Sequence, residues 1–96
     1  MFDLPVLTHM ERRAYRGFRR VLIKEGFYMM QESIYCKLVQ NASAAETVTE
    51  RLRKNNPAEG LVQILKVTEK QFSRMEYLVG SKKTELLDSD ERLVIL

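Results

Sequence analysis

The sequence predicts an α/β sandwich with one helical layer on one sheet, and three observations carry that reading. Stretches of two-residue polarity alternation take turns along the chain with stretches of helical periodicity. Three of the helical stretches open on Ser or Thr followed three residues later by Glu or Gln: Thr8 with Glu11, Ser43 with Glu46 and Thr68 with Gln71. That spacing is the reciprocal cap that satisfies the first free amides of a helix. Gly26, Pro57, Gly60 and Gly80 stand where the periodic stretches run out. A chain of 96 residues makes one domain, 1–96, and a domain of this size buries only about 60–70% of the surface its unfolded chain exposes. With 45% hydrophobic residues and no tryptophan, it is expected to complete its core by pairing with a second copy of itself.

Residues 1–4 form the stub of a strand, stopped by Pro5. The first helix is expected over 8–25, from the Thr8 cap to the left-handed stop that Gly26 supplies. Met30, Glu32, Ile34, Cys36 and Leu38 then alternate against Gln31, Ser33, Tyr35 and Lys37. A period of two belongs to strand, so one strand is expected over 27–39. Only Glu32 breaks its apolar face, which marks a strand bend, a sheet edge or a contact across a dimer, because a buried unpaired carboxylate is costly. After a turn at Asn41, the Ser43 cap and the stripe Ala44, Ala45, Val48, Leu52 give a second helix over 44–55. A strand over 61–67, a short helix over 68–74 and a strand over 75–79 follow, the last closed by Gly80. Residues 81–91 are polar and read as a loop, and 92–96 as a C-terminal strand.

The placement of charge says more than the formal total of +3. At about 100° per residue, Arg12, Arg13, Arg16, Arg19, Arg20 and Lys24 fill one arc of roughly 140° on the first helix. Met10, Ala14, Tyr15, Phe18, Val21 and Leu22 fill the opposite arc, and Glu11 and Glu25 project toward it. Ordinary exposed faces mix signs at i,i+4, whereas cations stacked this way repel. Beside the plainer reading of a merely solvated basic face, the arrangement points to a polyanion, and phosphate backbones are the commonest, since each neutralised phosphate releases counterions.

The lone Cys36 has no internal disulfide partner, and no basic-plus-apolar leader precedes the domain, so a reducing, cytoplasmic setting is expected. No apolar run approaches the roughly 20 residues that cross a bilayer. His9, the only histidine, falls at the start of the first helix and reads as an exposed cap-region residue. Cys36 reads as a small buried hydrophobe, and neither residue has zinc-ligand spacing with another His or Cys. Tyr28 and Tyr35 read as packing residues.

Four strings now match one family: MFDLP at 1–5, RRAYRGFRRVLIKEGF at 12–27, MQESIYCKL at 30–38 and VTEKQFSRMEYLVG at 67–80. On these the chain resembles the small CRISPR-associated adaptation proteins of the endoribonuclease family, most of all their type II branch, nearly end to end. The resemblance implies a ferredoxin-like sandwich, an antiparallel sheet with helices on one face. It also implies a homodimer with sheets face to face and residues 92–96 crossing to the neighbouring protomer. Its implied partners are double-stranded DNA and the CRISPR integrase subunit, two integrase dimers flanking one dimer of this chain. Family members carry several apolar residues before the Phe-Asp pair, whereas Met1 directly precedes Phe2 here. The sequence is therefore expected to start one strand late, leaving a central sheet position half empty.

The resemblance also places at Asp3 a metal-binding, catalytic carboxylate, one from each protomer across the two-fold axis. Two such carboxylates suit Mg²⁺, a hard cation that needs few protein ligands. Residues alone give Asp3 the plainer role of a turn former before Pro5. By the same resemblance Gln31 and Ser33 lie near the dimer axis, where they either position water or phosphate or simply make cross-strand hydrogen bonds.

Overall fold

The structure, a computed structural model, describes residues 1–80 and 92–96; the loop predicted over 81–91 lies outside them. Nine elements follow in order: β1 (Phe2–Asp3), α1 (His9–Lys24), β2 (Tyr28–Gln31), β3 (Ile34–Val39), α2 (Ala42–Arg53), β4 (Leu61–Val62), β5 (Leu65–Thr68), α3 (Glu69–Ser73) and β6 (Arg92–Ile95). The mixed α/β class and the antiparallel sheet are those expected. β2, β3, β6 and β5 form one four-stranded antiparallel sheet in that order, and β1 pairs with β4 in a separate ribbon.

Two caps form as read from the sequence. The Thr8 hydroxyl accepts from the Glu11 amide at 3.1 Å while Glu11 Oε1 accepts from the Thr8 amide at 2.8 Å, and α1 ends before Gly26 at φ +91°. Thr68 and Gln71 make the same box for α3. The second cap shifts. Asn41, extended at φ −161°, accepts from the Ala44 amide at 2.8 Å, so α2 starts two residues before the expected 44 and ends at Arg53. Ser43 is already helical, and its carbonyl accepts from the Thr47 hydroxyl.

The strand expected over 27–39 is a hairpin. Glu32 and Ser33 form a two-residue turn between β2 and β3, with Ser33 in the left-handed region at φ 62°. Glu32 lies in this bend, next to β2 at the sheet edge, and its carboxylate sits in water rather than on a buried face. The strand expected over 61–67 also divides. Leu61 and Val62 pair with Asp3 and Phe2, whereas Leu65 to Thr68 run beside β6. No strand forms over 75–79: these residues pair with no strand among those described, and Leu78 and Val79 stand 95% and 93% exposed. Strand propensity needs a neighbouring backbone to bond with, and none of the described residues supplies one there.

β6 lies inside its own sheet, between β3 and β5, with Leu93 opposite Leu38 and Val67. Alternation along β6 then splits its side chains between two cores. Val94 and Leu96 join Tyr35, Val39, the α1 residues Phe18 and Leu22, and the α2 residues Ala45, Val48 and Leu52. Leu93 and Ile95 join Cys36 on the opposite face, where α3 adds Phe72. α1 and α2 thus make the helical layer, and α3 closes part of the other side.

Gly60 fixes where β4 meets β1. At φ +98°, a Cβ there would stand 2.7 Å from the Asp3 carbonyl oxygen and 2.7 Å from Leu4 Cδ2. Left-handed strain and the clash combine, so Gly60→Ala is expected to destabilise the domain by about 2–4 kcal/mol. A urea titration with lowered midpoint and unchanged slope would register it.

Candidate nucleic-acid interface

Phe2 sets the roll of α1. Its ring meets Phe18 edge-on at 5.4 Å, Tyr15 at 5.9 Å and Tyr35 in a stack at 5.8 Å. Aromatic pairs at these separations add specific geometry to area burial. With Phe18 and Leu22 held inward, Arg12, Arg13, Arg16, Arg19, Arg20 and Lys24 all come to the exposed surface. The basic arc read from the sequence is therefore a solvent-facing ridge. The apolar arc is shorter than expected: Met10 is 80% exposed and Ala14 is exposed too, because the first turns of α1 overhang the core. There they line a groove of about 220 Å³ with Pro5, Pro57 and Ala58.

Glu11 of α1 and Glu25, its C-cap residue, are both engaged away from the ridge. Glu11 accepts from the amides of Leu7 and Thr8 in the N-terminal cap, where the helix dipole favours a negative charge. Glu25 pairs with Arg51 of α2 at 2.7 Å, and its carbonyl accepts from Lys37 Nζ. Among the described residues the ion pairs are Arg51 with Glu25, Arg53 with Glu50 and Lys66 with Glu46, and no ridge cation joins one. Two ridge guanidinium groups are instead tied by neutral acceptors. Arg12 Nη1 donates to the carbonyls of Val6 and Leu7, at 3.2 and 2.9 Å, and Arg19 Nε donates to the Tyr35 hydroxyl at 2.8 Å. Sequence reasoning missed both the Arg51 partner of Glu25 and the Tyr35 partner of Arg19, since each joins residues distant along the chain. Tyr35 itself packs, as expected, and is 2% exposed.

Asp3 is exposed at the end of β1, with its backbone opposite Leu61. Among the described residues, no group of three or more His, Cys, Asp or Glu could hold a metal ion. Among the described residues Asp3 is thus an open carboxylate outside any such group, and it fits Mg²⁺ only where a second copy supplies another. Gln31 is exposed at the end of β2, and Ser33 is half-buried in the turn that follows. The Ser33 carbonyl accepts from the Phe2 amide at 3.2 Å, which ties this turn to the strand carrying Asp3. His9 is exposed at the first helical position. Cys36 is fully buried, and desolvation pushes its thiol above the ordinary value while a hydrogen bond with Tyr28 pulls the other way. A thiol held protonated is a poor nucleophile. Among the described residues no helix is long and apolar enough to cross a membrane.

Comparison with known proteins agrees with the strings in the sequence. The family model described as "CRISPR associated protein Cas2" matches residues 1–75. The chain is 52% identical to the CRISPR-associated endoribonuclease Cas2 of Treponema denticola over 95 residues, covering 99% of this chain and 94% of that protein. It is likewise 52% identical over 96 residues to proteins of the same name from two strains of Streptococcus mutans, covering the whole chain and 90% and 88% of the relatives.

Proposed function

Because the chain belongs to the CRISPR associated Cas2 family, we propose that it acts in CRISPR adaptation as a DNA-holding adaptor. In this reading two copies form a homodimer that bridges two dimers of the CRISPR integrase subunit, and their α1 ridges grip a double-stranded protospacer. One observation supports it above all: six exposed cations share one face of α1 while Glu11 and the C-cap residue Glu25 are engaged elsewhere. Phosphate contacts of this kind position a duplex without reading its bases. Binding is accordingly indifferent to sequence, sensitive to length and steeply weakened by salt.

The exposed Asp3 and the endoribonuclease names of the relatives favour a second reading, a Mg²⁺-dependent phosphodiesterase acting on RNA or DNA. Asp3 from each of two protomers would hold the ion, which when bound supplies a polarised phosphate and a more acidic water. The ridge would then hold the nucleic acid chain across the paired carboxylates. Asp3→Asn separates the two readings. Asp3 is exposed, so the variant is expected to melt within about 0.5 kcal/mol of the parent. The adaptor reading expects undiminished duplex binding and spacer acquisition in cells. Loss of acquisition together with loss of metal-dependent cleavage would replace it with the phosphodiesterase.

A further inference from the structure

We propose that Tyr35 is a positioning residue that presets the Arg19 guanidinium for a phosphate; the proposal rests on the adaptor reading of the ridge. Tyr35 is fixed from three sides. Its ring is buried against Phe2, and its backbone exchanges two hydrogen bonds with Leu96, at 2.6 and 2.7 Å. Its hydroxyl emerges under α1 and accepts from Arg19 Nε at 2.8 Å. A guanidinium donates in a planar fork, so fixing Nε fixes the plane and leaves the N–H donors of both Nη nitrogens for another acceptor.

Arg19 is therefore unlike its neighbours. Among the described residues Arg13, Arg16, Arg20 and Lys24 have no side-chain hydrogen bond, and Arg12 is held through Nη1, one of the nitrogens that would face a ligand. A free arginine side chain loses rotamer entropy when it meets a phosphate, whereas Arg19 has lost much of it on folding. An acceptor of the hydroxyl type, unlike a carboxylate, orients the cation without forming an ion pair that would cancel the charge a phosphate needs. Charge and aim come from different residues: Arg19 supplies the first and Tyr35 the second.

The test measures binding of a fluorescent mixed-sequence DNA duplex to the purified full chain across a salt series. Tyr35→Phe is expected to weaken binding about two- to tenfold, the scale of ordering one long side chain. Its salt slope stays at the parent value because no charge is lost. Arg19→Ala flattens that slope by about one per protomer, and adding Tyr35→Phe to it weakens binding no further. Parental binding by Tyr35→Phe, or an equal loss with and without Arg19, overturns the proposal. Backbone and side-chain ¹⁵N relaxation of the unaltered protein gives a second reading that needs no variant: an ordered Arg19 Nε supports the proposal, and one as mobile as Arg16 Nε overturns it. Arg16→Glu with Arg20→Glu in the same series tests the ridge separately. Parental binding by that double variant removes the adaptor reading, whereas a defect there beside a parental Tyr35→Phe removes only the role of Tyr35.

Discussion

Leu93→Asp is expected to leave the chain with no cooperative thermal transition. Leu93 is completely buried at the centre of β6, and its cross-strand neighbours are Leu38 and Val67. Among the described residues it clusters with Cys36, Ile95 and Phe72, against which Tyr28, Met30, Ile34 and Val67 pack, and none of these carries a charge. An unpaired carboxylate there loses its hydration with nothing in exchange, a cost of several kcal/mol after relaxation. The apolar burial of leucine is lost as well, worth about 1.5–3 kcal/mol. A domain of this size holds only about 5–15 kcal/mol in total. The site also lies on the strand that joins the β2–β3 hairpin to β5, so local failure separates the sheet into two pieces. Leu93→Ala, which leaves a cavity but no charge, is expected to cost about 2–5 kcal/mol and keep a lowered, cooperative melt. Far-ultraviolet circular dichroism on heating distinguishes them. A sharp parental transition in the aspartate variant would mean that β6 does not hold the sheet together.

The caps at Thr8 and Thr68 were legible because a capping box is complete within four residues and owes nothing to the rest of the chain. The cap of α2 was ambiguous for the same local reason. Both Asn41 and Ser43 are good cap residues, and only the extended backbone at Asn41 decides between them. The hairpin at Glu32 and Ser33 was hidden because two-residue turns usually announce themselves with Gly or Asn, and this one places serine at positive φ. β6 read as a strand from its apolar run, but its neighbours did not. Which backbone a strand bonds to depends on contacts far along the chain, and periodicity carries no record of them.

The ridge was legible at the level of charge, since helical spacing alone puts six cations in one arc. Its anchors were not. Arg19 and Tyr35 lie 16 residues apart, Glu25 and Arg51 26 apart, and the pairs meet only in the folded chain, the first between α1 and β3 and the second between the α1 C-cap and α2. The Met10 end of the apolar arc is exposed despite its helical spacing, because periodicity does not record where a helix runs past the core it covers.

Reversing two ridge charges with Arg16→Glu and Arg20→Glu is expected to abolish duplex binding while leaving the fold as stable as before, or slightly more so. Neither arginine joins an ion pair or side-chain hydrogen bond among the described residues, so no described native contact is broken. The new carboxylates relieve the stacked repulsion instead. Position 16 lies one helical turn from Arg12 and Arg19, and position 20 lies four residues before Lys24, spacings that contribute about 0.2–0.5 kcal/mol per pair. Binding moves the opposite way. Each lost phosphate contact flattens the salt dependence by about 0.9 and removes roughly tenfold in affinity near 0.1 M salt, so two lost contacts cost about 10²-fold before any repulsion from the added acids. A homodimer would present the change twice. Opposite signs in melting temperature and duplex affinity are what a surface selected for a polyanion produces, because there the repulsion between cations is offset only when phosphate arrives. If the ridge were merely a solvated face, the same double variant would gain its fraction of a kcal/mol and bind duplex as the parent does, across the whole salt series.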